Sequence, residues 1–165
     1  MRSPSGYTFI ELCVVLVLAG LMVVLAVPRF NAALFTDDLK TSVRKLVATI
    51  KVLKNEAVRE RVVYRLHLDM TSNRVWYDSE FMDRDEAPER NAARLPEGIH
   101  ILDVHCVGGE KTAGGESVIH IDPKGYVQPA VIHVGSDRGE VYTLVLTPFL
   151  EKIGILDGYV SFEER

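Results

Sequence analysis

The chain has 165 residues, of which 47% are hydrophobic and 25% are charged, with a formal net charge of -4. This composition is typical of a globular protein and excludes a disordered one, and the length favours one compact domain. The chain lacks the basic excess with which proteins bind nucleic acid, so we expect no nucleic-acid partner.

An apolar run dominates the first part of the sequence. Residues 7–27 would form a helix about 31 Å long at 1.5 Å per residue, which matches the roughly 30 Å hydrocarbon core of a bilayer. We therefore predict a transmembrane helix over 7–27. The carboxylate of Glu11 lies just before the uncharged stretch 12–27, and an ionised carboxylate at the centre of a bilayer costs roughly 2.5–3.5 kcal/mol.

An ordinary secretory signal peptide is the alternative interpretation of this run. Arg2 would be its positive end and the apolar stretch its core. Glu11, however, lies where such a core begins, and no small-x-small cleavage site follows in "VLAVPRF". These features disfavour a signal peptide that ends near Pro28.

The helix is predicted to continue beyond the apolar run. Pro28 removes one backbone hydrogen bond and kinks a helix without necessarily ending it. Apolar residues then recur at steps of three and four, which predicts an amphipathic helix over 28–61 with one face for a core. Thr36 and Asp37 are candidate N-cap residues, so a local break there is conceivable. The predicted core face consists of Leu39, Val43, Leu46, Val47, Ile50, Leu53 and Ala57.

From Val62 onward the apolar period changes to two, which is typical of strands. "VVYRLHLDM" and "RVWYD" flank the turn "TSN" and predict a hairpin, with Tyr64, Leu66 and Leu68 on its core face. Further strands are predicted at "IHILDVHCV", "VIHID", "AVIHVG", "VYTLVLT", "KIGIL" and "YVSFE". Residues 62–165 are therefore predicted to form an antiparallel β domain, and the fold class is α+β.

Three connections are predicted between these strands. "PKG" is a turn in which Gly125 can take a positive φ. "GGEKTAGGES" is expected to be a flexible loop. The charged segment 78–97 carries two prolines and no periodicity, so we predict an exposed loop; a partner contact or a weak calcium site is the functional alternative.

Few residues occur in a pattern that suggests metal binding or catalysis. "HILDVHC" would place Asp103 and His105 on one face of a strand and His100 and Cys106 on the other, which splits any metal site. No Cys-x-x-Cys, Gly-x-Ser-x-Gly or phosphate-loop spacing occurs. We therefore expect no metal, no cofactor and no enzyme activity. Cys13 and Cys106 are too differently placed to predict a disulfide between them.

The N-terminus carries a specific family resemblance. A short leader ends in Gly6, an aromatic Tyr7 follows, and "TFIE" opens the apolar helix. This resembles the class III signal of type IV pilins and type II secretion pseudopilins. The resemblance implies that residues 1–6 are a leader, cut by a prepilin peptidase before Tyr7, whose new amine is methylated. Glu11 becomes the fifth mature residue and Pro28 the twenty-second, as in the family.

The C-terminal stretch is similar to the closing pattern of H-type minor pseudopilins. Its parts are Ile121, Pro123, Gly125, Pro129 and "LTPF". The resemblance implies a pilin-like fold and a structural subunit near the tip of a periplasmic pseudopilus, anchored in the inner membrane among other minor and major pseudopilins. A minor pilin of a type IV pilus, acting in assembly or DNA uptake, is the alternative, and a membrane-anchored periplasmic enzyme is disfavoured.

The same resemblance implies a function for Glu11. Its carboxylate would neutralise the N-terminal amine of a neighbouring subunit in the growing filament, so that two opposite charges share one apolar layer. The alternative is a carboxylate that lies at the headgroup interface without a partner.

Overall fold

A computed structural model describes residues 9–82, 87–150 and 153–161, with the side chains of 23–37, 88–89 and 150 left undescribed. The predicted cleavage pair, Gly6 and Tyr7, lies outside the described residues. The chain divides into two units, residues 1–36 and 37–165.

Helix α1 spans Phe9–Glu60. Within the described part of the chain, no helix has both the length and the apolar character that a membrane crossing requires. The transmembrane helix expected over 7–27 stays a prediction, because residues 7–8 and the side chains of 23–27 are not described.

The end of α1 is a well-formed C-cap. Arg61 takes a left-handed φ of 57°, and the amide of Val62 donates to the carbonyl of Ala57 at 3.2 Å, which is the Schellman arrangement. The Tyr64 hydroxyl donates to Glu60 at 2.6 Å and thereby ties the first strand to the helix end. Burial, with the neighbouring Glu60 carboxylate, raises the pKa of Tyr64 to about 12.

Two antiparallel sheets follow the helix. Sheet I has the order β3-β2-β1-β6 and sheet II the order β5-β4-β7-β8-β9. A short helix α2 spans Ala87–Asn91, and a 3-10 turn spans Pro148–Leu150. The strands are β1 Tyr64–Asp69, β2 Arg74–Ser79, β3 Ala93–Arg94, β4 Ile99–Cys106, β5 Lys111–Thr112, β6 Glu116–Ile121, β7 Ala130–Ser136, β8 Val141–Leu146 and β9 Gly154–Asp157.

One hydrophobic core joins the second half of α1 to both sheets. Six of the seven residues predicted for the helix face are buried in it, and Val47 packs against it. On β1 the alternation of Tyr64, Leu66 and Leu68 toward the core is confirmed. The predicted α+β architecture, a long helix with an antiparallel β domain, is therefore confirmed.

Three sequence-based predictions of local structure were wrong. The segment 78–97 is not simply a loop, because it contains α2 and β3. The glycine-rich loop contains the two-residue strand β5. The strand expected at "YVSFE" is absent from residues 159–161, which lie outside the β-ladder, and residues 162–163 of that stretch are not described.

The turn at Gly125 has the conformation that the sequence predicted. Gly125 has a φ of 81°, and the carboxylate of Asp122 accepts from the amides of Lys124 and Tyr126 at 2.8 and 3.0 Å. A Cβ at Gly125 would lie 3.2 Å from Val58 Cγ2. Both the backbone and the close approach of the helix therefore require glycine here.

Candidate interaction surface

A groove of about 200 Å³ opens between α1, the β2–β3 edge of sheet I and the inner face of sheet II. Its lining is largely apolar. Ser42, Thr49 and Asn91 are its uncharged polar residues. The apolar lining consists of Leu46, Val75, Trp76, Tyr77, Ala93, Leu95, Pro96, Ile101 and Val134.

Two basic side chains form the rim of this groove, Lys45 from α1 and Arg94 from β3. Both residues are exposed, and neither forms an ion pair with another residue that the structure describes. The groove thus combines an apolar floor with a positive rim, a pattern suited to an apolar side chain flanked by carboxylates.

One wall of the groove is held in place by the Asn91 side chain, which bonds to the backbone of β2 as a neighbouring strand would. The Asn91 amide nitrogen donates to the Tyr77 carbonyl at 2.8 Å, and its oxygen accepts from the Tyr77 amide at 3.0 Å. The Leu95 amide then donates to the Asn73 carbonyl at 3.1 Å. These bonds hold residues 91–95, part of the segment that the sequence predicted to be a loop, against β2 and the turn before it, where they line the groove.

The outer face of sheet I carries a buried ion pair. Arg65 donates two parallel bonds to Asp78, at 2.6 and 2.8 Å, and the Asp78 side chain is only 1% exposed. Burial raises the pKa of Asp78, but the hydrogen bonds and charge of Arg65, with His67 nearby, outweigh it and hold that pKa below its usual value. His67 stacks on Trp76 at a ring distance of 3.6 Å.

The outer face of sheet II carries a second buried polar cluster, which the sequence did not predict. Asp103 of β4 lies 2.7 Å from Nδ1 of His133 on β7, and both side chains are almost fully buried. The Tyr159 ring stacks on His133 at 3.8 Å and its hydroxyl donates to Asp103 at 3.0 Å. The amine of Lys111 lies 3.3 Å from Asp103.

A β-bulge explains why this cluster was missed. The pairing of β4 with β7 shifts between Ile101 and Asp103, so Leu102 is the extra residue. Strict alternation placed His100 and Cys106 on one face, and that prediction was wrong. His100 and Asp103 lie on the outer face, whereas Cys106 packs against the core.

The other side chains that could bind a metal do not cluster in the part of the chain that the structure describes. His100 pairs with Asp137 at 2.8 Å in an exposed position. Within residues 9–82, 87–150 and 153–161, no three histidine, cysteine, aspartate or glutamate side chains lie close enough to hold a metal ion. Cys13 and Cys106 are free thiols.

Comparison with known proteins decides the family. No protein-family model matches the chain. It is 34% identical over 146 residues to the type II secretion system protein H of Pseudomonas aeruginosa, covering 88% of this chain and 84% of that protein. The chain belongs to the type II secretion H-protein family. It is accordingly a minor pseudopilin, a structural subunit.

Solved structures agree on the fold of this minor pseudopilin. Two structures of the minor pseudopilin EpsH from the type II secretion system of Vibrio cholerae superpose with TM-scores of 0.58 and 0.56. Each is 15% identical and covers 76% of this chain, which in turn spans 99% and 98% of those two chains. At this identity the likeness shows the fold alone.

The residues predicted to act in pseudopilin assembly are only partly within the structure. Glu11 lies in the first turn of α1 and is exposed. Helix α1 runs through Pro28, whose side chain is among those not described. The kink at Pro28, the cleavage before Tyr7 and the function of Glu11 therefore stay predictions.

Proposed function

We propose that this minor pseudopilin lies at or near the tip of the periplasmic pseudopilus that drives export of folded proteins. The observation that carries the proposal is the 34% sequence identity with type II secretion system protein H, in an alignment that covers 88% of this chain. Residues 7–27 anchor it in the lipid of the inner membrane, and the β domain 62–165 extends into the periplasm. Its partners are other minor and major pseudopilins.

Maturation precedes assembly in this proposal. The prepilin peptidase removes residues 1–6 and methylates the amine of Tyr7. Cleavage thereby creates a positive charge four residues before Glu11, in the same apolar layer. A carboxylate and an amine from neighbouring subunits can neutralise one another there, which offsets the cost of burying either alone.

The groove is proposed as the contact for a neighbouring pseudopilin. Its occupant is an apolar side chain of that neighbour, with one or more carboxylates beside it. The apolar floor of the groove supports an apolar side chain as its occupant. The exposed cations Lys45 and Arg94 support neighbouring carboxylates, because charges of opposite sign steer and orient two protein surfaces.

Reversing the rim charges tests this contact. The double variant Lys45→Glu with Arg94→Glu should fold normally, since both side chains are exposed. Its affinity for the neighbouring subunit should fall about tenfold or more, because each carboxylate now meets another. Affinity is measured by co-purification of the full-length chains from detergent at two salt concentrations.

The matched control reverses two exposed lysines outside the groove, Lys51→Glu with Lys124→Glu. It carries the same change in net charge and should bind as the parent does. Equal loss of binding in both double variants would reject the groove as the contact.

A secretion assay distinguishes a pseudopilus subunit from a minor pilin of a type IV pilus. A strain that lacks the gene should stop exporting its type II cargo, and the full-length chain should restore export. Restored pilus extension or DNA uptake without restored secretion would favour the minor-pilin alternative. In the DNA-uptake form of that alternative, the protein would also shift duplex DNA in a salt-sensitive manner.

A further inference from the structure

The turn after β2 carries the most exposed large apolar side chain among the residues that the structure describes. Phe81 is 84% exposed, and its neighbour Met82 is 37% exposed. Glu80, on the other side of Phe81 in the chain, is exposed as well. We call residues 80–82 the Phe81 turn. It presents an aromatic ring beside a carboxylate.

The Phe81 turn is held by the end of β2. The amide of Met82 donates to the carbonyl of Ser79 at 3.1 Å, which closes a tight turn with Glu80 and Phe81 at its two central positions. Ser79 and Asp78, which precede the turn, are both buried. The ring of Phe81 is therefore carried on a fixed base, so a partner that binds it has little backbone freedom to remove.

The groove has the shape and charge that this turn requires of a partner. Its volume is about 200 Å³, and an apolar cavity of roughly 150 Å³ is enough to bind benzene, so one phenylalanine ring fits. The floor of the groove is apolar, and the exposed cations Lys45 and Arg94 form its rim. These cations complement the carboxylate of Glu80.

The groove of a given chain does not hold the Phe81 ring of that same chain. Phe81 is not among the residues that line the groove, and its ring is largely in solvent. Tyr77 does line the groove, and Phe81 follows it by four residues, which is no more than about 14 Å even for a fully extended chain. The turn and the groove therefore lie close together on the surface of one subunit.

We propose that two copies of this chain form a dimer in which the Phe81 turn of each copy enters the groove of the other. One twofold axis makes both contacts at once when a surface carries two complementary parts close together. The dimer uses the groove of the proposed function and therefore rests on it, with a second copy as the occupant. A second copy and a different subunit would exclude each other from one groove. With a single aromatic anchor in each direction, the dimer should be weak and reversible.

Carbodiimide cross-linking of the purified full-length protein in detergent tests this pairing directly. The reagent joins a carboxylate to an amine in contact with it, so it should link Glu80 to Lys45. Isotope-labelled and unlabelled chains are mixed beforehand, and links between copies then join a labelled peptide to an unlabelled one. We expect such mixed peptides. Links between Glu80 and Lys45 that never mix the two labels would overturn the dimer.

Sedimentation velocity of the same protein measures the dissociation constant of the dimer. Phe81→Ser should raise this constant at least tenfold, because a buried aromatic anchor dominates a small contact. Phe149→Ser removes an aromatic ring that is 52% exposed outside the groove and should leave the constant unchanged. A parent protein that stays monomeric, or a Phe81→Ser variant that associates as the parent does, would overturn the proposal.

Charge reversal identifies which groups meet. Glu80→Lys alone, and Lys45→Glu with Arg94→Glu, should each weaken the dimer about tenfold. The triple variant that combines all three changes should recover most of the parent affinity, because opposite charges again face one another. A triple variant as weak as the others would contradict the pairing.

The purified chain contains no other pseudopilin, so failure of the dimer is distinguishable from failure of the proposed function. A monomeric parent whose rim variant still loses its neighbouring subunit would reject the dimer and leave the groove as a contact for that neighbour. A dimeric parent whose rim variant keeps its neighbour would support the dimer and reject the groove as the contact for a different subunit.

Discussion

Replacement of Glu11 by leucine should give a mature, membrane-inserted subunit that fails to join the pseudopilus. Insertion becomes easier because the apolar segment loses an ionised group. The bond between residues 6 and 7 is untouched, so cleavage should continue. Assembly should fail because the neighbour's amine then has no carboxylate in the apolar layer. Co-purification with neighbouring subunits should drop at least tenfold, and secretion of a reporter should drop with it.

Graded variants separate charge from size at this position. Glu11→Asp keeps the charge but shortens the side chain by one methylene and should do partial damage. Glu11→Lys places a second cation beside the amine and should be at least as harmful as leucine. Cys13→Leu alters an exposed side chain of the same helix without changing charge and should assemble normally. Normal incorporation of Glu11→Leu would show that the carboxylate has no part in assembly.

Breaking the ion pair on sheet I should have the largest effect on stability. Asp78→Ala leaves the Arg65 guanidinium, whose side chain is only 16% exposed, without its carboxylate. An uncompensated buried charge costs about 3–5 kcal/mol in the free energy of unfolding. The thermal midpoint, measured by circular dichroism on the full chain in micelles, should fall by about 10 °C or more.

Two further variants make this prediction specific. The double variant Arg65→Met with Asp78→Leu removes both charges and should recover most of the loss, because the pair also carried a desolvation penalty. Asp137→Ala removes an exposed carboxylate that pairs with His100, and should change stability by less than about 0.5 kcal/mol. A double variant as unstable as Asp78→Ala would mean that packing, not charge, is lost.

The same ion pair should make the free energy of unfolding depend on pH in the acid range. The pKa of Asp78 is lower in the folded protein than in the unfolded chain, because Arg65 more than offsets the effect of burial. Its contribution is therefore complete above the ordinary carboxylate pKa of about 4 and is lost as pH falls below that value. Asp78→Ala should flatten this acid limb of the stability curve.

Much of the fold could be predicted because its signals are local. The steps of three and four from Leu39 to Ala57 marked the buried helix face, and alternation from Tyr64 to Leu68 marked the core face of β1. Each signal needs only one element and one apolar environment. The strands β3 and β5 have two residues each, which is too short to carry a period, so they were missed.

The polar sites could not be predicted because they depend on long-range pairing. Asp103, His133 and Tyr159 meet across separations of 30 and 56 residues. These side chains come together because of the strand order of sheet II and the β-bulge in β4, and no pattern in the sequence indicates that bulge. The groove likewise needs Asn91 to bind the backbone of Tyr77, 14 residues away. Glu11, in contrast, was noticed from the sequence alone, because a carboxylate beside an apolar run is unusual.

Mass analysis of the mature N-terminus tests the central claim most directly. A pseudopilin assembled in the proposed manner must begin at an N-methylated Tyr7, since this amine is the partner of Glu11. The protein is purified from inner membranes, digested, and its first peptide sequenced by mass spectrometry, with a bulky substitution at Gly6 as the unprocessed reference. We expect N-methyl-Tyr7 as the first residue. A mature chain that begins near Pro28 or Arg29 would contradict the account.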